Sequence, residues 1–557
     1  MTQTLTIVIA QTNPTVGSVE SNIDQVKRLR SANMHADLIV FSELNISGYP
    51  PEDLILRQSF LDTVHDSISN LAKETEGEGP GLIIGAPWQS DSGCGNAALL
   101  IDDGKIQHSQ FKHHLPNYGV FDEKRVFVSG DISGPVMFRG IRIGILICED
   151  MWYQDVTETL HETAAEILIV INGSPFELDK NQIRLNHAVA RVTETRLPLI
   201  YVNQVGGQDD LVFDGGSFVM NSDCSIAFQA PWWGESVFET KWSKQSDNFV
   251  CEPSLVSVEM NRLENIYQAM VLSLRDYISK NGFSGVVIGL SGGIDSALSA
   301  VVAADALGPD KVHTIMMPSP YTSQESIEDA ELLAKNLRLK LDTIFITEPM
   351  QTFNALLKPF FGDRQADTTE ENIQSRIRGL ILMALSNKFG SMVLSTGNKS
   401  EVSVGYATLY GDMCGGYSVL KDIYKTTVFA LCKWRNESIP NGVLAPYDKI
   451  LPENIISKAP TAELRHDQKD EDSLPPYSEL DSILKSFIEN SASINDVVKN
   501  GHHIEVARKV WRLLKLSEYK RRQSAPGVKI SQLAFGRDHR YPITNAFQGE
   551  TLKRSDL

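Results

Sequence analysis

The chain has 557 residues, of which 42% are hydrophobic and 22% are charged, and its formal net charge is −18. At about 100–200 residues per domain, a chain of this length is expected to form at least two domains with large buried cores. The acidic balance argues against a surface that attracts nucleic acid or an anionic membrane, because such partners favour basic patches.

Signals for membrane insertion or export are not recognised in the sequence. No uninterrupted apolar run approaches the roughly 18 residues that cross a bilayer, and the first residues lack the pattern of a signal peptide. The six cysteines form no Cys-x-x-Cys pair, so neither a zinc site nor a disulfide framework is indicated. We therefore expect a cytoplasmic protein without nucleic-acid or membrane partners.

Strand-like and helical runs alternate through the first half of the chain. Strands are predicted at 4–10, 37–42, 81–86 and 141–148, and a helix is predicted near 19–34. This alternation indicates layered α/β packing. The sequence is polar and irregular around 238–261, and a helical pattern then runs from about 262 to 280. We therefore predict two domains, 1–262 and 263–557.

Three chemically useful side chains follow predicted strands or turns in the first domain. Cys148 ends the apolar run I-L-I-C, Glu43 follows the strand D-L-I-V-F-S, and Lys112 precedes turn-forming residues. Taken singly, they would be a small core residue and two surface charges. Together, a carboxylate can deprotonate a thiol and a lysine can stabilise an oxyanion. Their identity and order resemble the Cys-Glu-Lys triad of the nitrilase superfamily in its glutaminase form.

This resemblance implies an α-β-β-α sandwich and a thioester mechanism. Glu43 would be the general base, Lys112 would support the oxyanion and leaving group, and Cys148 would attack the side-chain amide of glutamine. His113 and His114 are assigned structural or peripheral roles, because adjacent side chains on extended backbone point in opposite directions. The resemblance also implies that glutamine is bound by Tyr118, Glu123, Ser174 and Lys180.

The second domain begins with a long helix and then predicts a parallel sheet. Apolar strands are predicted at 286–290, 312–318, 341–346 and 391–396, with helical stretches between them. This is the pattern of a doubly wound sheet. The charged segment 458–476 is predicted to be a mobile, solvated loop, of which the part around 465–475 closes over the active site of the second domain and excludes water.

A glycine corner, S-G-G-I-D-S, follows the first of these strands. Gly292 and Gly293 allow backbone N–H groups to approach an anion, and the start of a helix adds a positive dipole end. A tight turn without a ligand is the ordinary alternative. Ser291, Asp295 and Ser296 suit hydrogen bonding and Mg²⁺ coordination beside phosphate. The corner resembles the loop of N-type ATP pyrophosphatases, which implies a Rossmann-like fold and adenylation of an oxygen by ATP.

Five later stretches resemble NAD synthetase motifs, and they occur in that family's order. They are E-N-I-Q-S-R-I-R-G, S-T-G-N-K-S-E, Y-G-D-M-C-G-G-Y, K-A-P-T-A-E-L and Y-K-R-R-Q-S-A-P-G. The resemblance implies Mg²⁺ at Asp295 and Glu401, and deamido-NAD near Asn372, Arg376, Asp412 and Lys421. It implies ATP contacts from Gly289, Ser291, Gly292, Gly293, Asp295, Ser296, Thr396, Lys425, Thr461 and Lys520.

Taken together, the resemblances imply an enzyme that uses glutamine, ATP and Mg²⁺ to amidate deamido-NAD, without a tightly bound organic cofactor. They also imply a homo-oligomer that pairs through the synthetase domains. One alternative is an amidotransferase of the same architecture with a different adenylated acceptor. Another is a nucleotide-binding protein without catalysis. The motifs at 371–379 and 458–464 favour deamido-NAD, and the retained reactive residues favour catalysis.

Overall fold

The computed structural model describes residues 4–245, 248–445 and 449–547. The chain divides into two compact units, of which the first reaches Met260 and the second begins at Asn261. In the described part of the chain, every helix is too short or too polar to span a membrane.

The described residues of the first unit form strands and four α-helices, which are numbered in chain order. Its helices are α1 (Val19–Ala32), α2 (Gln58–Lys73), α3 (Gln154–Glu162) and α4 (Lys180–Thr195). Its strands are β1 (Thr4–Gln11), β2 (Leu38–Val40), β3 (Gly81–Ser90), β4 (Gly93–Asp102), β5 (Lys105–Phe111), β6 (Val136–Phe138), β7 (Ile141–Ile147), β8 (Ile167–Asn172), β9 (Leu199–Asn203), β10 (Val205–Gln208), β11 (Leu211–Asp214), β12 (Phe218–Met220), β13 (Ile226–Gln229), β14 (Ser236–Gln245) and β15 (Asn248–Cys251).

Two sheets stack face to face in this unit. One has the order β15-β14-β1-β2-β3-β4-β5 and the other has the order β13-β12-β9-β8-β7-β6. Alternation along β1 explains the layers, because Ile7 and Ile9 join the core between the sheets while Val8 and Ala10 pack with α1 and α2. Helices α3 and α4 pack on the outer face of the second sheet. The predicted α-β-β-α sandwich is confirmed.

The region 238–261, which the sequence analysis described as irregular, contains two paired strands instead. β14 pairs with β1 and with β15, and both pairings are antiparallel. Trp242 and Phe249 are buried in the core between the sheets. Polar residues dominate this stretch because β15 is an edge strand, and the few inward-facing aromatic side chains were too sparse to indicate a strand.

The second unit combines a sheet with many helices. Its strands are β16 (Val286–Gly289), β17 (Val312–Met316), β18 (Lys340–Thr343), β19 (Met392–Ser395) and β20 (Tyr417–Ser418). Its helices are α5 (Arg262–Lys280), α6 (Ile294–Leu307), α7 (Gln324–Leu337), α8 (Thr347–Phe361), α9 (Thr368–Phe389), α10 (Lys399–Val404), α11 (Lys425–Glu437), α12 (Glu453–Ser457), α13 (Tyr477–Ile488), α14 (Ile494–Lys499), α15 (Ile504–Leu516) and α16 (Glu518–Arg521).

All strand pairings in this sheet are parallel, and the order is β18-β17-β16-β19-β20. The first strand of the unit, β16, therefore lies between the second and the fourth. In doubly wound sheets this reversal opens a crevice at the carboxyl ends of the strands. α9 packs against Val287, Ile315 and Val393, while α6 is buried along almost its whole length. The predicted doubly wound fold is confirmed.

Gly85 of β3 lets a loop of the first unit approach the sheet closely. A methyl group at this position would lie 2.2 Å from the backbone nitrogen of Leu44 and 2.5 Å from the carbonyl oxygen of Ser42. The N–H of Ile46 donates to the carbonyl of Gly85 at 3.1 Å. Because backbone atoms cannot swing away as the tip of a side chain can, glycine at 85 fixes the position of the loop that carries Glu43.

We predict that Gly85→Ala lowers the stability of the first unit by about 1–3 kcal/mol, the usual cost of forcing extra volume into a packed interior. Calorimetric unfolding of the full chain would measure this loss. Gly234→Ala is the matched control, since nothing lies within 4 Å of a methyl group there. Equal unfolding temperatures for the two variants would contradict the role given to Gly85.

Candidate active sites

Cys148 lies on a sharp turn at the carboxyl end of β7. Its φ is +45°, an unfavourable region for a residue with a side chain, and such conformations often occur at functional sites. Asp150 ties the turn, because its Oδ2 accepts the N–H of Ile147 at 3.2 Å. Burial and then the charge of Glu43 raise the pKa of the Cys148 thiol well above its usual value, against the opposing effect of Lys112. The resting cysteine is therefore a thiol that needs a base.

A buried lysine joins two carboxylates beside this thiol. Lys112 Nζ donates to Glu43 Oε1 at 2.7 Å and to Glu123 Oε1 at 2.8 Å. Burial alone would lower the pKa of Lys112, but Glu123 and Glu43 outweigh it, so the pKa is raised and the ammonium persists. Burial raises the pKa of Glu123 to about 7. Glu123 therefore carries a proton near neutral pH more readily than an ordinary glutamate does.

Glu43 is held at both of its oxygens. Asn96 Nδ2 donates to Oε1 at 2.7 Å, and the backbone N–H of Gly173 donates to Oε2 at 2.7 Å. Asn96 lies in β4 and is fully buried. Asn96 was not among the predicted site residues, although a polar side chain at the start of the apolar run N-A-A-L-L could have indicated it.

Three of the four side chains predicted to bind glutamine, those of Tyr118, Glu123 and Lys180, interact electrostatically with Cys148. The hydroxyl of Tyr118 donates to the carboxylate of Glu149 at 3.0–3.1 Å, and Lys180 Nζ lies 4.8 Å from the ring centre of Trp152. Ser174 Oγ accepts from the buried Arg184 at 3.1 Å. Glu149, which the sequence analysis did not select, brings a second negative charge next to Cys148.

The prediction that His113 and His114 point in opposite directions was wrong. Their ring centres lie 4.6 Å apart, and both rings are close to Asp155. The strand β5 ends at Phe111, so the backbone bends before the two histidines and the alternation of an extended chain does not apply.

The glycine corner of the second unit connects β16 to α6. Gly292 has φ +80°, and a methyl group there would lie 2.2 Å from the carbonyl oxygen of Ser326. Ser296 ties the corner, since its Oγ accepts the N–H of Ser291 at 3.2 Å and donates to the carbonyl of Gly293 at 2.9 Å. The positive end of α6 begins at this point, which suits a bound phosphate.

A cavity of about 560 Å³ opens at this corner. Of the substrate contacts predicted for the second unit, all of which are described, Arg376 and Lys421 do not line the cavity. Arg376 instead donates through Nε to the carbonyl of Leu409 at 3.2 Å. The predicted residues that do line the cavity are Gly289, Ser291, Gly292, Gly293, Asp295, Ser296, Asn372, Thr396, Glu401, Asp412, Lys425, Thr461 and Lys520.

Arg378 lines the cavity, whereas the sequence analysis selected Arg376 from the same motif. Residues two apart on a helix point to different sides, and α9 turns the second arginine inward. Arg378 Nε donates to the carbonyl of Met317 at 3.1 Å. Burial lowers the pKa of Arg378 to about 10, which still leaves a cation at neutral pH.

Carboxylates and a lysine face one another inside the cavity. Lys425 Nζ donates to Asp295 and, at 3.1 Å, to Glu401. Burial raises the pKa of Glu401 to about 8. Asp470 adds a third carboxylate, and its buried Oδ1 has no hydrogen-bond partner among the described residues. Grouped carboxylate oxygens are the ligands that Mg²⁺ prefers, so these residues fit the predicted cation.

The segment 458–476 is largely exposed, as predicted, but parts of it contact the rest of the second unit, and its mobility stays a prediction. Lys458 Nζ donates to Ser326 Oγ at 2.7 Å, and Tyr477 donates to Asp470 at 2.8 Å. Residues from Lys458 to Asp470 line part of the cavity. The charge cluster D-Q-K-D-E-D suggested solvation, but Asp470 is buried, where it accepts the hydrogen bond from Tyr477 and interacts electrostatically with Lys425.

Comparisons with known proteins match a different protein family to each of the two units. Residues 3–243 match the carbon-nitrogen hydrolase family, and residues 266–524 match the NAD synthase family. A glutamine-dependent NAD(+) synthetase of Rhodobacter capsulatus is 45% identical over 99% of this chain and 100% of its own length. One from Acinetobacter baylyi is 44% identical over 97% of this chain and 98% of its own.

Solved structures extend the likeness to the whole fold. A glutamine-dependent NAD+ synthetase from Acinetobacter baumannii, in complex with ADP, matches with a TM-score of 0.77 and 41% identity, covering 97% of this chain and 98% of that one. A synthetase from Cytophaga hutchinsonii shares the fold at 20% identity, with a TM-score of 0.79 and 98% of each chain covered. The chain belongs to the family of glutamine-dependent NAD(+) synthetases.

Proposed function

We propose that this chain converts deamido-NAD to NAD in an ATP-driven amidation whose nitrogen comes from glutamine. Residues 1–262 would hydrolyse glutamine and residues 263–557 would perform the synthesis. The observation that carries the proposal is that one chain holds both a buried Cys-Glu-Lys cluster and a phosphate-type glycine corner facing grouped carboxylates. The alternative, an amidotransferase that acts on another acceptor, is not favoured, because the relatives that match over their full length are glutamine-dependent NAD(+) synthetases.

In the first half-reaction, Glu43 takes the proton of the Cys148 thiol, and the thiolate attacks the side-chain amide carbon of glutamine. Lys112 stabilises the oxyanion, and the proton passes to the departing nitrogen, which leaves as ammonia. Water, deprotonated by Glu43, then releases glutamate from the thioester. We assign the glutamine contacts to Tyr118, Glu123, Ser174 and Lys180. Ser174 and Lys180 would lie at the amino-acid end, with the Glu149 carboxylate facing the amino group, and Glu123 would be a second carboxylate beside Lys112.

In the second half-reaction, ATP occupies the cavity with its phosphates at the glycine corner. The nicotinate carboxylate of deamido-NAD attacks the α-phosphate, pyrophosphate leaves, and ammonia then displaces AMP. Asp295 and Glu401 would hold Mg²⁺, which when bound neutralises the charge of the phosphates. Lys425, Thr461, Thr396 and Lys520 would contact ATP. Deamido-NAD would lie near Asn372, Arg376, Asp412 and Lys421.

We expect Cys148→Ala to lose NAD formation from glutamine while keeping it with a high concentration of ammonium salt. The substitution removes the nucleophile of the first unit and leaves the synthesis site intact. NAD formation from deamido-NAD, ATP and Mg²⁺ measures both activities. If the wild type makes no NAD from either nitrogen source, the acceptor assignment fails.

We expect Asn96→Ala to reduce glutamine-dependent turnover about 10- to 100-fold, because it removes a hydrogen bond to a buried carboxylate worth about 1.5–3 kcal/mol. Activity with ammonium should not change. The exposed Asn70→Ala serves as the control and should retain both activities. A parallel loss of glutamine and ammonium activity in Asn96→Ala would point to general misfolding and contradict a role in positioning Glu43.

The second unit also exposes an apolar face, which we propose pairs with a second copy of this chain. Helix α8 has no fully buried residue, and Phe353, Leu356 and Phe360 are 39%, 61% and 84% exposed. Leu380 and Met383 extend the exposed apolar surface onto the neighbouring α9. Apolar patches of this kind mark interaction surfaces, and self-association of one patch is the commonest arrangement.

We expect Leu356→Glu combined with Phe360→Glu to lower the molar mass measured by light scattering after size-exclusion chromatography. Two charges on each face would oppose its burial against a partner. Met137→Glu changes an equally exposed apolar side chain of the first unit and should leave the mass unaltered. An unchanged mass for the α8 variant, or a monomeric wild type, would exclude this face as the interface.

A further inference from the structure

Outside the catalytic cluster, two histidines and an aspartate of the first unit converge on one point. His113 and His114 follow β5, and Asp155 lies in the first turn of α3. One ligand atom from each residue lies within 4.8 Å of the other two. We propose that these residues form a binding site for a divalent transition metal of the Zn²⁺ class.

The hydrogen bonding of His113 prepares it as a ligand. Its Nδ1 lies 2.7 Å from the carbonyl oxygen of Gly130, and since a carbonyl can only accept, Nδ1 carries the proton. The lone pair of the neutral ring is therefore on Nε2. Metal-binding histidines typically donate their other ring N–H to a carbonyl or carboxylate in this way.

His114 and Asp155 supply the other two donors. His114 Nε2 lies 2.9 and 3.0 Å from the two carboxylate oxygens of Asp155, and because a carboxylate can only accept, Nε2 carries the proton of this hydrogen bond. A bound cation would take the place of that proton between the two side chains. Tyr153 stacks on the His114 ring with 4.0 Å between ring centres, which limits its rotation. The His114 side chain is 21% exposed and that of Asp155 is 46% exposed, so solvent reaches the site and water can complete the coordination.

The backbone that presents the histidines is also fixed. The N–H groups of His113 and His114 donate to Asp150 Oδ1 at 3.1 and 2.8 Å. Asp150 is buried and also ties the Cys148 turn through Ile147. The backbone of the two histidines is thus preorganised by a group that also fixes the catalytic turn.

The donor set determines the class of ion. Two imidazole nitrogens and one carboxylate, with room for water, suit Zn²⁺, Co²⁺, Ni²⁺ and Cu²⁺, whereas Mg²⁺ prefers oxygen ligands alone. This site is therefore chemically distinct from the carboxylate group of the second unit, which offers oxygen donors around Asp295 and Glu401.

Titration of the full-length Cys148→Ala chain with Co²⁺ tests the proposal, with Mg²⁺ in excess to occupy oxygen-only sites. The Cys148→Ala background removes the catalytic thiolate as a ligand. We expect a saturable visible d–d absorption for one Co²⁺ per chain, which Zn²⁺ abolishes by competition. His114→Ala and Asp155→Asn should each weaken binding by at least about ten-fold, since even outer-sphere partners of metal ligands contribute 10–100-fold.

His161→Ala is the matched control, because His161 lies on the same helix α3 outside the cluster and is exposed. It should bind Co²⁺ like the parent chain. Two results would overturn the proposal: no saturable absorption in the parent chain, or equal binding by the parent chain, His114→Ala and Asp155→Asn. Circular dichroism of each variant would identify any loss of fold.

Discussion

The ammonium group of Lys112 lies wholly inside the first unit, 2.7 Å from Glu43 and 2.8 Å from Glu123. A buried charge of this kind is tolerated only when it is paired and hydrogen bonded, and removing one partner commonly costs about 3–5 kcal/mol. The positions of the neighbouring strands and loops satisfy this need to pair the buried ammonium group. β2 and β3 bring the Glu43 loop to the lysine, and β7 ends where Cys148 can exchange its proton with the same cluster.

The second unit contains a related arrangement with a different consequence. Lys425 contacts both Asp295 and Glu401, so without substrate the lysine balances the negative charge that a cation would otherwise balance. In the proposed second half-reaction, phosphate and metal would take over the two carboxylates and leave the same lysine for phosphate oxygens. The proposed mechanism thus has the lysine of the first unit keep its carboxylates throughout, while the lysine of the second unit exchanges partners. Both sites thus avoid an unpaired buried charge in the absence of ligand.

Two kinds of feature could be predicted from the sequence: elements with a periodic hydrophobic pattern, and sites with a chemically distinctive combination of residues. The layered α/β packing followed from strand and helix periodicity, and the catalytic and phosphate-binding candidates followed from residue combinations that resemble those of known families. What it could not predict depends on distant parts of the chain. Asn96 and Asp470 become candidate site residues only because the fold places Asn96 beside Glu43 and Asp470 near Lys425. The orientation of His113 was predicted wrongly because it depends on where β5 ends.

The most direct test of the account is whether Cys148 becomes acylated during turnover. The full chain would be mixed with glutamine, quenched rapidly in acid, digested and examined by mass spectrometry. The account predicts a γ-glutamyl adduct on the peptide that contains Cys148, present during turnover and absent when glutamine is withheld. Release of ammonia without any adduct on that peptide, or an adduct on another cysteine in its place, would contradict it.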